Sequence, residues 1–524
     1  MSERPNILFL LSDEHSFRFL SARTSERGGE PCRTPTLDSL IERGVHFDAA
    51  YCPMPLCTPS RIAMLVGRHS HRCGAWSNGS ILRPELSTFA SHLARHGYAT
   101  VAVGKMHLGG SLQYAGFGAR PYGDFGGSPG HQNDPLSRLA ARAERPGMSM
   151  RSRTLDADLS EIPESLLQEQ VVVRESLAYL REHRHAHPGQ PWLMLSSFSR
   201  PHFPLTAPRR FFERYYPNGV TRPRVGRTGD SKDHPMTLGA IRGFRTEEIG
   251  EAEMLRARAA YFACVDFLDE ILGDFLALLE RDGLLENTIV IYTSDHGELA
   301  GEHGIWWKNT WHEAATRVPL IISLPEHRNG SLPAREIRIP VGLIDLFPTL
   351  CGLTGTPLAD GLDGIDLSAA IQGETCPSLT ERPGVIAEAL TPRWGEGTEF
   401  RMIRSERYKY VAFRGCDDLA FDVIADPDEQ RNLVGNATGD VAAELAKLRS
   451  VLLDPFDFDA VEELRERETA ELNEKYAKRI QFSTPNQILL GDGRLVETDA
   501  PLYHPEVVSA TPADAFDDFP KAMK

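Results

Sequence analysis

The sequence predicts an α/β fold: a large mixed, mostly parallel sheet flanked by helices, then a smaller antiparallel sheet and an extended tail. Three observations carry this. Apolar strand-like runs alternate with amphipathic helical stretches over about 350 residues, the pattern of a sheet with helices on both faces. Two polar clusters, Asp13-Glu14 and Asp295-His296, each follow such a run directly. After about residue 380 the pattern changes to short, closely spaced strands. The expected division is residues 1–378 as the α/β domain, 379–456 as a small α+β subdomain, and 457–524 as a charged helix and extended tail.

Pro5 to Leu11 is an apolar run ending in Ser12-Asp13-Glu14-His15, a buried strand with acidic residues at its C-terminal end. Thr34 to Arg43 reads as a helix, capped by Thr34 and ended by Gly44. Val45 to Tyr51 reads as a strand, Glu85 to His96 as a helix, and Tyr98 to Val103 as a strand. Pro163 to His183 is an expected helix and Trp192 to Ser197 a strand. A long helix follows over Glu248 to Arg281, then strands at Thr288 to Thr293 and Val318 to Ser323. Four short strands, Val385 to Ala389, Phe400 to Arg404, Tyr408 to Phe413 and Leu419 to Val423, precede a helix at Asp440 to Leu453. Asp459 to Ile480 is a highly charged helix.

The composition is that of a globular chain able to bury a large core without disulfide staples: 41% of 524 residues are hydrophobic. The formal charge of −16 argues against general binding to nucleic acid or anionic membranes, and leaves room for a local basic pocket. The apolar run near the start, Ile7 to Leu11, is too short for a signal peptide, and no run is long enough for a membrane span. Eight scattered cysteines fit reduced thiols. The expectation is a cytoplasmic protein with no nucleic-acid or membrane partner.

The sharpest chemical signal is Cys57-Thr58-Pro59-Ser60-Arg61. Its four fixed positions arise by chance in a chain of this length at about a few per thousand. Ile62 to Val66 behind it reads as a helix, which puts Cys57 near a helix N-terminus, where backbone N–H groups favour an anion. Asp13, Glu14, Asp295 and His296 are three carboxylates and an imidazole at two strand ends, a donor set suited to Ca²⁺, Mg²⁺ or Mn²⁺ rather than structural zinc. Arg61, Lys105, His107, His202 and Lys308 supply positive groups near these clusters. Any one of them alone would read as a solvated surface charge.

The chain resembles the type I sulfatases, members of the alkaline phosphatase superfamily. The resemblance rests on PNILFLLSDE at the start, CTPSRIAMLVGRHSHR, VGKMHLG, SRPHFPLTAP, TSDHGELAGEHGIWWK and TRVPLII, in the family order, with weaker matches in ERYKYV and DPDEQRNL. It implies an alkaline phosphatase-like fold and hydrolysis of sulfate monoesters, of the arylsulfatase or small-molecule kind. It implies a nucleophile made by oxidising Cys57 to formylglycine, and so a formylglycine-generating or equivalent maturation enzyme as partner. One divalent ion, with Ca²⁺ ahead of Mn²⁺ or Mg²⁺, is implied at Asp13, Glu14, Cys57, Asp295 and His296. Many members have Asp where this chain has Glu14 and Asn where it has His296. The resemblance assigns Arg61 to support of the nucleophile, Lys105 and His107 to the nucleophile and leaving-group side, and His202 and Lys308 to the sulfate oxygens. His202 or His107 would protonate the leaving alcohol.

Two other functions compete. One is phosphonate monoester or phosphodiester hydrolysis by relatives that share the metal site. The other is an inactive binding protein of the same fold, against which stands the retention of Cys57, Asp13, Asp295 and Lys308. His69, His71 and His303 lie beside the motifs as candidate pocket residues. His183, His185 and His187 read as a solvated helix end. In the tail, Val461, Leu464, Leu472, Tyr476 and Ile480 form a narrow stripe, and Ile488-Leu489-Leu490, Leu495-Val496 and Leu502-Tyr503 are short apolar anchors. They predict packing across a homo-oligomer interface.

Overall fold

The structure is a computed structural model and describes residues 4–123, 154, 157–476, 487–489 and 495–497. Its centre is strand β1 (Asn6–Asp13), whose Ile7 to Leu11 are fully excluded from solvent. Both faces of β1 are covered, so its run is apolar throughout rather than alternating. Leu8 and Leu10 join one core layer, with the Gln168–Ala186 and Glu251–Arg281 helices. Ile7, Phe9 and Leu11 join the other, with the Cys57–Val66, Phe89–Arg95 and Leu346–Thr354 helices. The two-residue period of a strand thus divides its side chains between two helical layers.

In chain order the strands after β1 are β2 (Val45–Phe47), β3 (Ala50–Tyr51), β4 (Ala99–Gly104), β5 (Ala119–Gly123), β6 (Asp158–Leu159), β7 (Trp192–Pro201), β8 (Thr206–Ala207) and β9 (Thr288–Ser294). They continue with β10 (Arg317–Val318), β11 (Leu320–Ser323), β12 (Arg335–Ile337) and β13 (Val341–Gly342). The main sheet runs β12-β2-β11-β9-β1-β7-β4-β5. It is parallel from β9 through β1, β7 and β4 to β5, while β11 runs antiparallel to both β9 and β2. This is the expected mixed, mostly parallel sheet.

Several expected elements shift. The strand read over Val45 to Tyr51 is two strands, because a turn at Asp48-Ala49 carries the chain from the main sheet into a small β10-β3-β13 sheet. The helix expected from Glu85 begins at Phe89, where Thr88 and Ser91 form a reciprocal capping box. Pro163 to His183 divides into a 3₁₀ turn at Glu164–Leu166 and the Gln168–Ala186 helix. Thr34 does not cap the Pro35–Glu42 helix with its side chain. The Asp269 carboxylate does so from the long helix, accepting Thr36 N at 2.8 Å and Leu37 N at 2.9 Å.

The second sheet, β14 (Val385–Ala389), β15 (Phe400–Arg404), β16 (Tyr408–Phe413) and β17 (Leu419–Asp422), is antiparallel in that order, as expected. Ile403, Tyr410 and Ala420 pack on Leu445, Leu448 and Leu452 of the Gly439–Leu453 helix. Met402 and Val411, on the other face, join the core layer that also holds Leu8 and Leu10. The sheet is therefore fastened to the first domain by its own pleat. Lys409 of β16 reinforces this, its Nζ 3.0 Å from Glu313 Oε1.

The charged helix spans Phe458–Tyr476 and docks on its own subunit through ion pairs, Arg83 to Glu468 at 2.6 Å and Arg414 to Asp459 at 2.7 Å. Val461, Leu464, Leu472 and Tyr476 are half-buried there. Ile480, Leu490, Leu502 and Tyr503 lie outside the described residues, and Gln487–Leu489 pairs antiparallel with Leu495–Glu497. Among the described residues no helix is long and apolar enough to cross a membrane.

Candidate active site

Four strand ends on one edge of the main sheet converge. β1 ends at Asp13, and β9 leads into Asp295-His296. β4 leads into Lys105 and β7 into His202. This is the carboxyl edge, where parallel sheets open for ligands. Two glycines permit the approach. Gly104, at φ +95°, sits where a Cβ would lie 2.0 Å from Ser197 O, so only glycine turns the chain toward Lys105 there. A Cβ on Gly297 would lie 2.0 Å from Ala314 O, so this residue lets the turn after His296 close.

Cys57 opens the Cys57–Val66 helix, all ten residues of which are buried. Pro59 fits the first turn because that turn needs no backbone donor. Asn78 Oδ1 accepts Thr58 N at 3.2 Å, and the Thr58 hydroxyl donates to His107 O. The Ser60 hydroxyl donates to Asp295 O at 2.5 Å, tying the helix to the end of β9. Cys57 Sγ lies 3.2 Å from His296 Nε2, 3.3 Å from Lys308 Nζ and 3.8 Å from Asp13 Oδ1.

Arg61 lies one turn further along the helix. Its Nε donates to Asp295 Oδ2 at 2.7 Å and its Nη2 to Asp13 Oδ2 at 2.9 Å. Its Nη1 donates to Lys105 O at 2.6 Å and Ser197 Oγ at 2.9 Å. Arg61 thus joins the two carboxylates directly, and its charge also acts on Cys57 one turn away. Lys105 Nζ likewise sits 2.8 Å from Asp13 Oδ2. His107 reaches the cysteine helix through its backbone carbonyl.

Ligand atoms of Asp13, Cys57, Asp295 and His296 all lie within 4.8 Å of one another, as do those of Asp13, Glu14 and His202. His296 Nδ1 faces Gly297 O at 3.0 Å. With Nδ1 donating there, the Nε2 lone pair turns toward Asp13, Asp295 and Cys57, the orientation of a metal-bound histidine. Glu14 Oε1 is buried, and no hydrogen-bond donor among the described residues reaches it. Glu14 Oε2 meets Lys308 Nζ at 2.9 Å and His202 Nε2 at 3.3 Å. The oxygen-rich donor set and the orphaned carboxylate oxygen fit a hard divalent cation. They place Glu14 beside the Asp13-Asp295-His296 group, on its Lys308 side.

Burial raises Asp13, but Lys105, His202, Arg61 and Lys308 outweigh it and hold the carboxyl well below the usual aspartate range. Asp295 is pushed up to about 6 by burial and by repulsion from Asp13. Glu14 is pushed up to about 8 by burial, against the pull of Lys308 and with Glu298 opposing its charge. Burial and like charge thus raise both carboxyls above their ordinary values despite the cations beside them.

The remaining histidines are elsewhere. His71 pairs with buried Glu388 at 2.9 Å, and His69 lines a small cleft with Asp363 and Arg382. His303 is buried against His312, ring centroids 4.4 Å apart. His185 and His187 are exposed as expected, whereas His183 is buried with Nε2 3.2 Å from Gln190 O. Sequence reasoning passed over Ser197, Asn78 and Glu298. Glu298 Oε1 accepts Trp307 N at 2.5 Å and Ala300 N at 2.8 Å, closing the loop that presents Lys308. Its place three residues after Asp295 was the available signal.

The Sulfatase family profile matches residues 5–356. A choline-sulfatase of Rhizobium meliloti (strain 1021) is 29% identical over 474 residues, 87% of this chain and 88% of that protein. An arylsulfatase of Clostridium perfringens is 26% identical over 457 residues, 83% of this chain and 91% of that one. Among solved structures, the phosphonate monoester hydrolase of Agrobacterium radiobacter matches with a TM-score of 0.69 at 21% identity, covering 94% of this chain and 99% of that chain. BT4656, solved with D-glucosamine-2-N,6-O-disulfate, matches with a TM-score of 0.65 at 21% identity, covering 91% and 100%. Both share the fold.

Proposed function

The chain belongs to the sulfatase family, and from that premise we propose that it cleaves sulfate monoesters with a nucleophile made from Cys57. It is a sulfuric ester hydrolase. The finer reading is formylglycine at position 57, installed by a maturation enzyme, and one divalent ion, Ca²⁺ before Mn²⁺ or Mg²⁺. One observation carries it: Cys57 Sγ heads a buried helix among Asp13, Asp295 and His296, with Lys308 Nζ 3.3 Å away.

Asp13, Asp295 and His296, with Glu14 beside them, would hold the ion. When bound it supplies Lewis acidity and lowers the pKa of a coordinated hydroxyl. Formylglycine supplies a hydrated aldehyde, whose oxygens would occupy the place marked by Cys57 Sγ. Arg61 keeps Asp13 and Asp295 at fixed spacing through its planar guanidinium. Lys308 reaches both Cys57 and Glu14, so its ammonium stands where an anionic sulfate oxygen would be held. His202 Nδ1 faces Phe203 O at 2.7 Å, which fixes Nε2 as the atom turned into the site. From there a protonated His202 can pass a proton to the leaving alcohol. The buried setting strengthens each of these charges.

The arylsulfatase and choline-sulfatase relatives support a small alcohol or phenol as leaving group. The competing reading is phosphonate monoester or phosphodiester hydrolysis. Parallel turnover of phenyl sulfate and a phenyl phosphonate monoester by the metal-loaded, modified enzyme separates the two.

A further inference from the structure

Trp307 precedes Lys308 in the chain and lies within reach of two cations. Lys308 Nζ lies 5.3 Å from its ring centroid and Arg393 Cζ lies 5.2 Å from the same centroid. These distances bound the separation of the two cations at about 11 Å, each within cation–π range of the indole. Arg393 also lies over Trp394, at 5.7 Å. The two indoles meet edge to face at 5.9 Å, and Phe244 packs on both at 4.9 and 5.4 Å.

This platform is rigid. Trp394 Nε1 donates to Asn309 O at 2.7 Å, fastening the 391–398 loop to the residue after Lys308. A Cβ on Gly239 would lie 1.8 Å from Trp394 O, so the Pro235–Phe244 helix is pressed against the same loop. Trp307 and Trp394 are both buried, whereas Arg393 is exposed.

The Arg393 guanidinium has no hydrogen bond or ion pair among the described residues; its contacts are the two indole faces. Burial against them pulls it below the usual arginine value, and no carboxylate offsets that. Other open arginines such as Arg210 and Arg414 are held by carboxylates, Arg210 by Glu164 and Glu270 and Arg414 by Glu399 and Asp459; Arg393 is held by indoles instead. A planar guanidinium held on an aromatic shelf with its donors unused is suited to a planar or tetrahedral oxyanion.

We propose that Arg393 is a specificity residue of this site, binding a second anionic group, a carboxylate or a further sulfate, carried by the leaving alcohol. The substrate class is then a dianionic ester, its scissile sulfate at Lys308 and its second oxyanion at Arg393. This rests on the sulfatase reading above. A separation within that bound is compatible with a substituted aromatic ring or a single sugar unit.

The test compares phenyl sulfate, 3-carboxyphenyl sulfate and resorcinol disulfate with the metal-loaded, modified enzyme and its Arg393→Ala and Arg393→Lys variants. The wild type should show kcat/KM at least tenfold higher for one or both dianionic esters than for phenyl sulfate. The carboxylate and disulfate arms identify which oxyanion is read. Arg393→Ala should abolish that preference and leave phenyl sulfate within about twofold, and Arg393→Lys should retain part of the preference. Equal kcat/KM ratios in wild type and Arg393→Ala overturn the proposal.

A second measurement does not depend on turnover: calorimetric binding of 3-sulfobenzoate against benzenesulfonate. Tighter binding of the dianion by tenfold or more, lost in Arg393→Ala, supports the subsite even when no ester is hydrolysed, an outcome in which the sulfatase reading alone falls. Equal binding of the two sulfonates overturns the subsite. Arg393 is exposed, so both variants should stay folded, with only a small fall in melting temperature from the lost indole contacts.

Discussion

Arg61 Nη2 lies 2.9 Å from Asp13 Oδ2 with both side chains excluded from solvent, and the same guanidinium reaches Asp295. The arginine of the cysteine motif is therefore the clamp of the carboxylate pair. Removing one carboxylate leaves buried cations uncompensated, which costs about 3–5 kcal/mol in comparable sites. Asp13→Ala should lose bound metal, most activity and several kcal/mol of stability, because Arg61 and Lys105 both lose a partner. Asp295→Asn keeps the shape and should lose metal and activity with a smaller stability loss. Elemental analysis and denaturant titration of both variants check this. Full metal occupancy in both contradicts the site.

Glu298 ties Ala300 N and Trp307 N to one oxygen, and Lys308 follows at once. Glu298→Ala leaves two backbone donors without their acceptor, at about 1–3 kcal/mol each. The loop presenting Lys308 should loosen, and kcat/KM for phenyl sulfate should fall about tenfold to a hundredfold. Glu298→Gln keeps a carbonyl oxygen at the same position and should retain most activity. Equal loss in both variants contradicts the positioning role.

The Glu313 carboxylate beside Lys409 of β16 should make an acid-labile contribution, opposed by Glu429, which shares Lys409 and is pushed up to about 7 by burial and by repulsion from Glu313. Burial pushes Glu313 up, but Lys409, Arg404 and Arg317 outweigh it and hold the carboxyl at about 2. The unfolded value is the ordinary 4.5, so the contribution is complete above about pH 4.5 and lost as pH falls toward 2. Urea unfolding at pH 7 and pH 3 should show a smaller pH dependence in Glu313→Gln than in wild type. Parallel losses in the two proteins contradict this.

Much of the site was legible because its signals are local. Asp13 and Asp295-His296 stand directly after apolar runs, and Cys57 sits in a short fixed motif before a helix. The partner of Arg61 was not legible, since Asp13 and Asp295 lie 48 and 234 residues away and only the parallel pairing of β1 with β9 brings them together. Val45 to Tyr51 reads as one strand because nothing local announces a change of sheet at Asp48. The Asp269 cap on the Pro35–Glu42 helix is equally long-range, and it displaced the nearer Thr34. Arg393 stands in TPRWGEG, which carries no motif; its role rests on its neighbour Trp394 and on Trp307 from a distant segment.

The account's central claim is a sulfate-directed nucleophile made from Cys57. The most direct measurement is kcat/KM for phenyl sulfate and a phenyl phosphonate monoester on preparations whose Cys57 conversion is quantified by peptide mass spectrometry. The account predicts a preference for the sulfate ester, a rate proportional to the converted fraction, and about a thousandfold or greater loss in Cys57→Ala. Full activity with an unmodified thiol, or a preference for the phosphonate ester, would contradict it.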